Sequence, residues 1–195
     1  MKKVSLGAKT LVFPLPVWCV GTYDKNGKPN VMTVAWGGIC SSVPPSIAVS
    51  VRKSRYTYDN LMAHKAFTIN VPSVEHAAVT DYFGMVSGKH VDKFAETGLT
   101  PVPGDRVHAP YIGEFPMVLE CKVTHVHDIG GHIQFVGEIL DVKTDENMIG
   151  ENGLPDIERI QPIVFGPEIR QYRRVGELIG EAFAIGKDSG QRKKD

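Results

Sequence analysis

The chain has 195 residues, 42% hydrophobic and 23% charged, a composition that excludes a disordered, collagen-like or coiled-coil protein and fits one globular domain over 1–195. Lys plus Arg and Asp plus Glu each number 22, so the formal net charge is zero. That balance lacks the basic field that nucleic-acid binding needs.

Cys19, Cys40 and Cys121 form no Cys-x-x-Cys pair, which argues against a disulfide scaffold or a thiolate zinc site. They read as small hydrophobes of a reducing, cytoplasmic compartment. The apolar stretch Leu11 to Val20 is broken by Pro14 and Pro16 and reads as mature protein rather than a signal peptide. No apolar run is long enough for a membrane span.

Short strands dominate the chain. Val17 to Tyr23 is β-branched and aromatic and runs into Asp24-Lys25-Asn26-Gly27. The Asn-Gly pair tolerates positive φ, so Pro29 to Val34 is expected to return antiparallel. Pro44-Pro45 introduces a strand at Ile47 to Arg52, and prolines suit a strand entrance or an edge. Apolar spacing predicts a helix over Arg55 to His64. Ala66 to Val71 reads as a strand. A helix follows to about Phe83, with Ser73 as its cap and Gly84 as its stop.

Residues 84 to 115 are irregular and rich in Gly and Pro, and long loops in compact domains are often functional. Met117 to His127 alternates, with Leu119, Cys121 and Val123 on one face and Glu120, Lys122 and Thr124 on the other. Gly130-Gly131 turns the chain and His132 to Val142 returns. Another strand is expected at Ile163 to Phe165 and a C-terminal helix over Gly176 to Ala184. Residues 185–195 are expected to form a solvated tail. Many short strands with a few inserted helices point to a closed or nearly closed antiparallel barrel.

No Walker loop, dinucleotide fingerprint, nucleophile elbow or His-Glu-x-x-His motif is present. His125-x-His127 places two imidazoles on one strand face, but spacing indicates no third ligand, and no metal site is expected. Two segments stand out. In Asn30 to Gly38 a strand ends in small residues beside Trp36, which would let backbone groups approach a flat ligand; a core tryptophan before a Gly-Gly loop explains the pattern equally well. In Ser50-Val51-Arg52-Lys53-Ser54-Arg55-Tyr56-Thr57 a strand runs straight into a helix start. Cations, hydroxyls and exposed helix-N-terminal amides together suit a phosphate. The alternative is a solvated charge run with Ser54 capping the helix.

The order Asn30-x-Met32-Thr33-x-Ala35, Ser42-x-Pro44-Pro45, Ile47 to Val51 and Tyr56-Thr57-x-x-Asn60-Leu61 resembles the flavin reductase-like FMN-binding split-barrel family. Phe67 to Pro72, Gly88-x-x-x-Asp92-Lys93-Phe94 and Gly131-His132-x-x-Phe135-x-Gly137-Glu138-Ile139 continue the likeness. The closing Gly176 to Lys187 resembles the flavoredoxin branch. The resemblance implies a mainly β fold, a Greek-key split barrel with a few inserted and C-terminal helices. It implies a homodimer with one FMN per subunit near the interface.

Thr33, Val34, Ala35 and Trp36 would then lie along the flavin ring, and Ser50, Val51, Arg52, Tyr56 and Thr57 at its ribityl and phosphate end. Lys93 and Phe94 would sit in the loop covering the cofactor. The resemblance places His132 on the nicotinamide side, although a surface or turn-stabilising histidine is the competing reading. It implies an oxidoreductase whose flavin takes electrons from NADH or NADPH. The alternatives are a carrier between redox proteins, or a barrel that binds flavin without turnover.

Overall fold

The computed structural model describes residues 1–187, so the last part of the tail expected at 185–195 lies outside the described residues. In chain order the strands are β1 (Leu15–Pro16), β2 (Trp18–Tyr23), β3 (Pro29–Val34), β4 (Gly37–Ser42), β5 (Pro45–Val51), β6 (Ala66–Val71), β7 (Pro101–Pro103), β8 (Pro110–Ile112), β9 (Met117–Asp128), β10 (Ile133–Thr144), β11 (Ile163–Gly166) and β12 (Gln171–Arg174). The helices are α1 (Tyr56–His64), α2 (Ala77–Met85), α3 (Lys93–Thr97) and α4 (Ile157–Ile160).

The hairpin expected at Asn26-Gly27 forms. Gly27 takes φ 78°, and the Asp24 carboxylate accepts the N–H groups of Asn26 at 2.8 Å and Lys28 at 2.9 Å. β2 then pairs β3 from Trp18 against Val34 to Tyr23 against Pro29.

One antiparallel sheet holds seven strands in the order β3-β2-β6-β9-β10-β5-β4. Its two edges, β3 and β4, are consecutive in the chain and separated only by Ala35 and Trp36. Three Cα steps reach at most about 11 Å. A flat sheet of seven strands would hold its edges about 29 Å apart. The sheet therefore curls until β3 and β4 approach at this corner. The two edges do not pair with each other, so the curl remains a split barrel, as the resemblance implies. The Ser50 N–H donates to the Trp36 carbonyl at 2.8 Å and fixes the corner. At Gly37 a side chain would meet the Ala48 carbonyl and the Trp18 ring, both at 2.8 Å, so only glycine lets β4 lie this close.

Inward residues fill the barrel: Val20, Val49, Leu61, Phe67, Ile69, Cys121 and Phe135 are fully or almost fully buried. A second core forms outside β2 and β3, where Cys19 and Val31 meet Phe83, Phe94, Ile112 and Phe115. β2 is thereby buried on both faces.

Several expectations are corrected. The segment 84–115 is not irregular throughout but contains α3, β7 and β8, with α3 capped by the Asp92 carboxylate, which accepts from Ala95 N at 3.1 Å. Gly84 does not stop α2 but lies inside it, and the helix ends at Met85. Ser73 precedes a 3-10 turn and bonds His76 Nδ1 at 2.8 Å instead of capping through a backbone amide. Gly37-Gly38 is not a loop but the start of β4.

Glu120 does not face solvent. It is fully buried, and its carboxylate accepts from the N–H groups of Asp105, Arg106 and Val107 and lies 2.5 Å from Lys143 Nζ. The C-terminal helix over Gly176 to Ala184 does not form. Gly176 and Gly180 weaken it, Gly180 takes φ 145°, and a short helix needs a packing face that this segment lacks.

Candidate functional site

The split leaves a cavity of about 450 Å³ at the corner joining β3 to β4. One wall is Met32, Thr33, Val34, Ala35 and Trp36, and the facing wall is Ser50, Val51 and Arg52 at the end of β5. The strand-to-helix turn adds Arg55, and α2 adds Asp81, Gly84 and Met85. His132 reaches in from the β9–β10 turn, and Phe165 and Tyr172 close one side from the β11–β12 hairpin. A narrower lobe of about 90 Å³ shares Met32, Arg55 and Gly84 with the first and continues past Asn30, Ser54, Tyr56, Thr57, Ser87, Gly88 and Lys93. The shared residues join the two lobes into one groove, wide and aromatic at one end, narrow and cationic at the other.

α1 begins without a side-chain cap, since Arg55 occupies the cap position and makes no capping bond. The alternative of a Ser54 cap is therefore not realised, and the first amides of a nine-residue helix face the narrow lobe. Thr57 Oγ1 accepts from Asn30 Nδ2 at 3.0 Å and keeps its own proton available. Gly88 packs so tightly on Asn30 and Tyr56 that a side chain there would displace the Asn30 amide.

Tyr56 is committed elsewhere, because its hydroxyl donates to Asp24 Oδ2 at 2.7 Å. Burial first and then Asp24 push its pKa up to about 12. Lys53 also leaves the site, in an exposed ion pair with Asp128 at 2.8 Å.

Lys93 is buried, not a surface lysine. Its Nζ donates to the Val31 carbonyl at 2.8 Å and the Phe83 carbonyl at 2.7 Å, so one of its three donors is left. Burial, reinforced by the Arg55 cation, brings its pKa down to about 8. The adjacent Phe94 lines neither lobe and packs in the second core, where it anchors α3 and so holds Lys93 in place.

The Trp36 and His132 rings lie parallel, with an interplanar angle of 4° and centroids 6.3 Å apart. Burial, and then the Arg52 charge, lower the His132 pKa, so this imidazole is neutral at neutral pH. His125 and His127 stack outside the groove, 5.9 Å apart, and no third metal-ligating side chain joins them among the described residues.

Of the residues expected from the sequence, Thr33, Val34, Ala35, Trp36, Ser50, Val51, Arg52 and His132 meet in the wide lobe. Tyr56, Thr57 and Lys93 meet in the narrow one. A flat ring with an anionic tail fits this donor set.

The family model for the flavin reductase like domain matches residues 10–168. The chain belongs to that family. Flavoredoxin of Desulfovibrio vulgaris (Miyazaki F) is 52% identical, with a TM-score of 0.92 covering 95% of this chain and 100% of that one. Flavoredoxin from Methanosarcina acetivorans is 31% identical, with a TM-score of 0.90 over 97% and 100% of the two chains. An uncharacterized protein of Archaeoglobus fulgidus is 35% identical over 130 residues, 67% of this chain and 72% of that protein. Family and neighbours together support a flavin cofactor and a flavin-linked redox function. No helix among the described residues is long and apolar enough to cross a membrane.

The flavin reductase-like site also uses residues that sequence reasoning missed. Asp81 and Tyr172 are 91 positions apart, yet the Tyr172 hydroxyl donates to Asp81 Oδ1 at 2.9 Å across the cavity wall. Burial and that carboxylate raise the Tyr172 pKa. Neither residue sits in a motif, and only the packing of the β11–β12 hairpin beside α2 brings them together. Arg55 was visible as one of three cations in the segment, but nothing local distinguished it from Lys53.

Proposed function

We propose that the chain binds FMN in this groove and acts as a homodimeric, cytoplasmic oxidoreductase that takes electrons from NADH or NADPH and passes them to an acceptor. The observation that carries the reading is the shape and charge of the groove. A wide lobe beside Trp36 narrows into a lobe where Arg55, Thr57, Lys93 and the α1 amides converge. A lobe of about 90 Å³ has room for a terminal phosphate, the group that FMN would present there.

A bound flavin supplies the redox chemistry, accepting two electrons together and releasing them singly or in pairs. The protein's residues do the rest. Arg55 holds the anionic end, Arg52 adds positive charge from the wide lobe, and the remaining donor of Lys93 adds a charge-assisted hydrogen bond. Thr33 to Trp36 present backbone and small side chains to the ring. Trp36 and the neutral His132 border the open side and position a planar donor there. No nucleophile or general acid is needed for hydride transfer, consistent with the absence of any triad motif.

The test is direct. Purified protein is expected to be yellow and to release FMN on heating, and a colourless protein that ignores added FMN refutes the reading. Anaerobic stopped-flow mixing with NADH and NADPH then tests the donor. A second reading has one observation in its favour, the 52% identity to a flavoredoxin. On that reading the chain carries electrons between redox proteins, and both nicotinamides reduce it slowly while a ferredoxin-like donor reduces it fast.

A further inference from the structure

The segment after β12 carries large apolar side chains into solvent. Leu178 is 72% exposed, Ile179 89%, Phe183 99% and Ile185 60%. A monomer rarely leaves such a run uncovered. The same molecule has an open apolar groove of about 320 Å³, lined by Phe13, Pro14, Val164, Phe165, Ile169 and Arg173. The groove runs along the hairpin from Val164 and Arg173 to Ile169 in the turn. The arm leaves at Arg174 and carries Ile179 and Phe183 into solvent rather than into the groove of its own chain.

Charge adds a second, independent match. Arg170, Arg173 and Arg174 line this hairpin and have no carboxylate partner among the described residues. The arm carries Glu177 and Glu181, also without a cationic partner among the described residues.

We infer that residues 176–187 of one copy seat in the Phe13–Phe165–Ile169 groove of a second copy, reciprocally, with Glu177 and Glu181 facing the partner's basic hairpin. Two such contacts related by a two-fold axis close the assembly without leaving an open end. Phe165 lines both this groove and the wide lobe of the flavin site, so the seated arm packs against the wall of that site. The inference rests on the homodimer reading above and names the segment that makes it.

Cross-linking tests it on the full chain. Ile169→Cys and Phe183→Cys are combined with Cys40→Ser, the remaining cysteines, Cys19 and Cys121, being buried. Treatment with a short bis-maleimide is expected to give a product of twice the chain mass joined between positions 169 and 183. A 169–183 link within a single chain, or no such link, overturns the exchange.

In parallel, the double substitution Ile179→Asp with Phe183→Asp touches only exposed side chains. It is expected to weaken dimerisation roughly 10- to 100-fold in light scattering on dilution, as loss of two interface anchors does. Unchanged dimerisation overturns the inference. Absorbance of bound FMN in the same samples separates the two claims. In the chain carrying only the cross-linking cysteines, a colourless dimer joined between positions 169 and 183 refutes FMN binding but not the arm, and a yellow dimer without that link refutes the arm but not FMN binding.

Discussion

Two buried charges, Glu120 on β9 and Lys93 beside β3, are treated differently. Glu120 is saturated. Three backbone amides of the 105–107 loop and Lys143, itself 2.5 Å from Asp105, leave its carboxylate no unused capacity. Lys93 has two neutral carbonyls as hydrogen-bond partners, with the buried Cys19 thiol and the Arg55 cation nearby, and its third donor belongs to a residue lining the narrow lobe. A buried charge is tolerated when it is fully paired. The saturated one is therefore structural, holding the 104–109 loop to β9, and the incompletely paired one keeps a donor that, on the proposed function, meets the phosphate.

Glu120→Gln should give the largest effect. Removing the charge leaves Lys143 and three amides mismatched, and breaking a buried pair costs roughly 3–5 kcal/mol. Urea unfolding should show that loss, while FMN affinity per folded molecule stays unchanged. Burial alone would raise the Glu120 pKa, but Lys143 and the amides outweigh it and hold the pKa below the usual glutamate value. A carboxylate whose pKa is lowered by folding stabilises the protein above its unfolded pKa and loses that contribution as pH falls through the folded one. The wild type should therefore lose stability in acid faster than the Gln variant, and parallel acid profiles would show Glu120 to be unsaturated after all.

Lys93→Met should do the reverse. Its main effect is on FMN, because one charge-assisted phosphate contact is worth roughly 1.5–3 kcal/mol, or about 10- to 100-fold in Kd. Stability should change less than for Glu120→Gln, since relief of the buried charge offsets the two lost hydrogen bonds. With a pKa of about 8 in the free protein, Lys93 begins to lose its proton just above neutrality. An anion raises that pKa again, so binding takes up a proton and FMN affinity falls as pH rises above about 8. Over the same window the flavin-free protein gains stability, because the unfolded state binds the proton more tightly. Fluorescence titrations from pH 7 to 10 should show this slope in the wild type and not in the variant.

The contrast also marks what the sequence could reveal. The hairpin at Asn26-Gly27, strand Ala66 to Val71 and the β9–β10 pair were legible because period-2 alternation and turn chemistry are local. Alternation misread Glu120, because its face of β9 is covered by a loop more than ten residues upstream. The C-terminal helix was misread for a related reason. Leu178, Ile179 and Ala182 have helical spacing, but within one chain they have nothing to pack against. At the site, the segment from Ser50 to Thr57 announced an anion end through its own residue types. It could not show that Lys53 turns outward to Asp128 while Arg55 turns inward. Asp81, Phe165 and Tyr172 gave no local sign of a site, because the β11–β12 hairpin delivers two of them from the far end of the chain.

His132→Ala should have a smaller effect, confined to one reaction step. The side chain borders the wide lobe beside Trp36 and is distant in role from the cationic end. Reduction by NADH or NADPH should slow about tenfold, the scale of one lost positioning contact of about 1.4 kcal/mol. FMN affinity should move less. Because burial and Arg52 lower the His132 pKa, the wild-type reduction rate should fall only when the pH drops below the usual histidine range. Equal losses in reduction and in FMN binding would mean that His132 merely supports the turn.

Lys53→Ala should do least, and for that reason it sharpens the contrast between paired and unpaired charge. Lys53 lies between Arg52 and Arg55 and carries the same charge, so a reading based on charge density alone gives it equal weight. Its ammonium instead meets Asp128 at 2.8 Å, and both side chains are more than half exposed. Exposed pairs contribute little, and solvent and salt screen their field at the groove. FMN affinity should change less than about twofold, and the urea midpoint should stay where it is in the wild type. A loss comparable to that of Lys93→Met would mean that the narrow lobe responds to the overall field of the segment, and the donor left on Lys93 would lose its special standing.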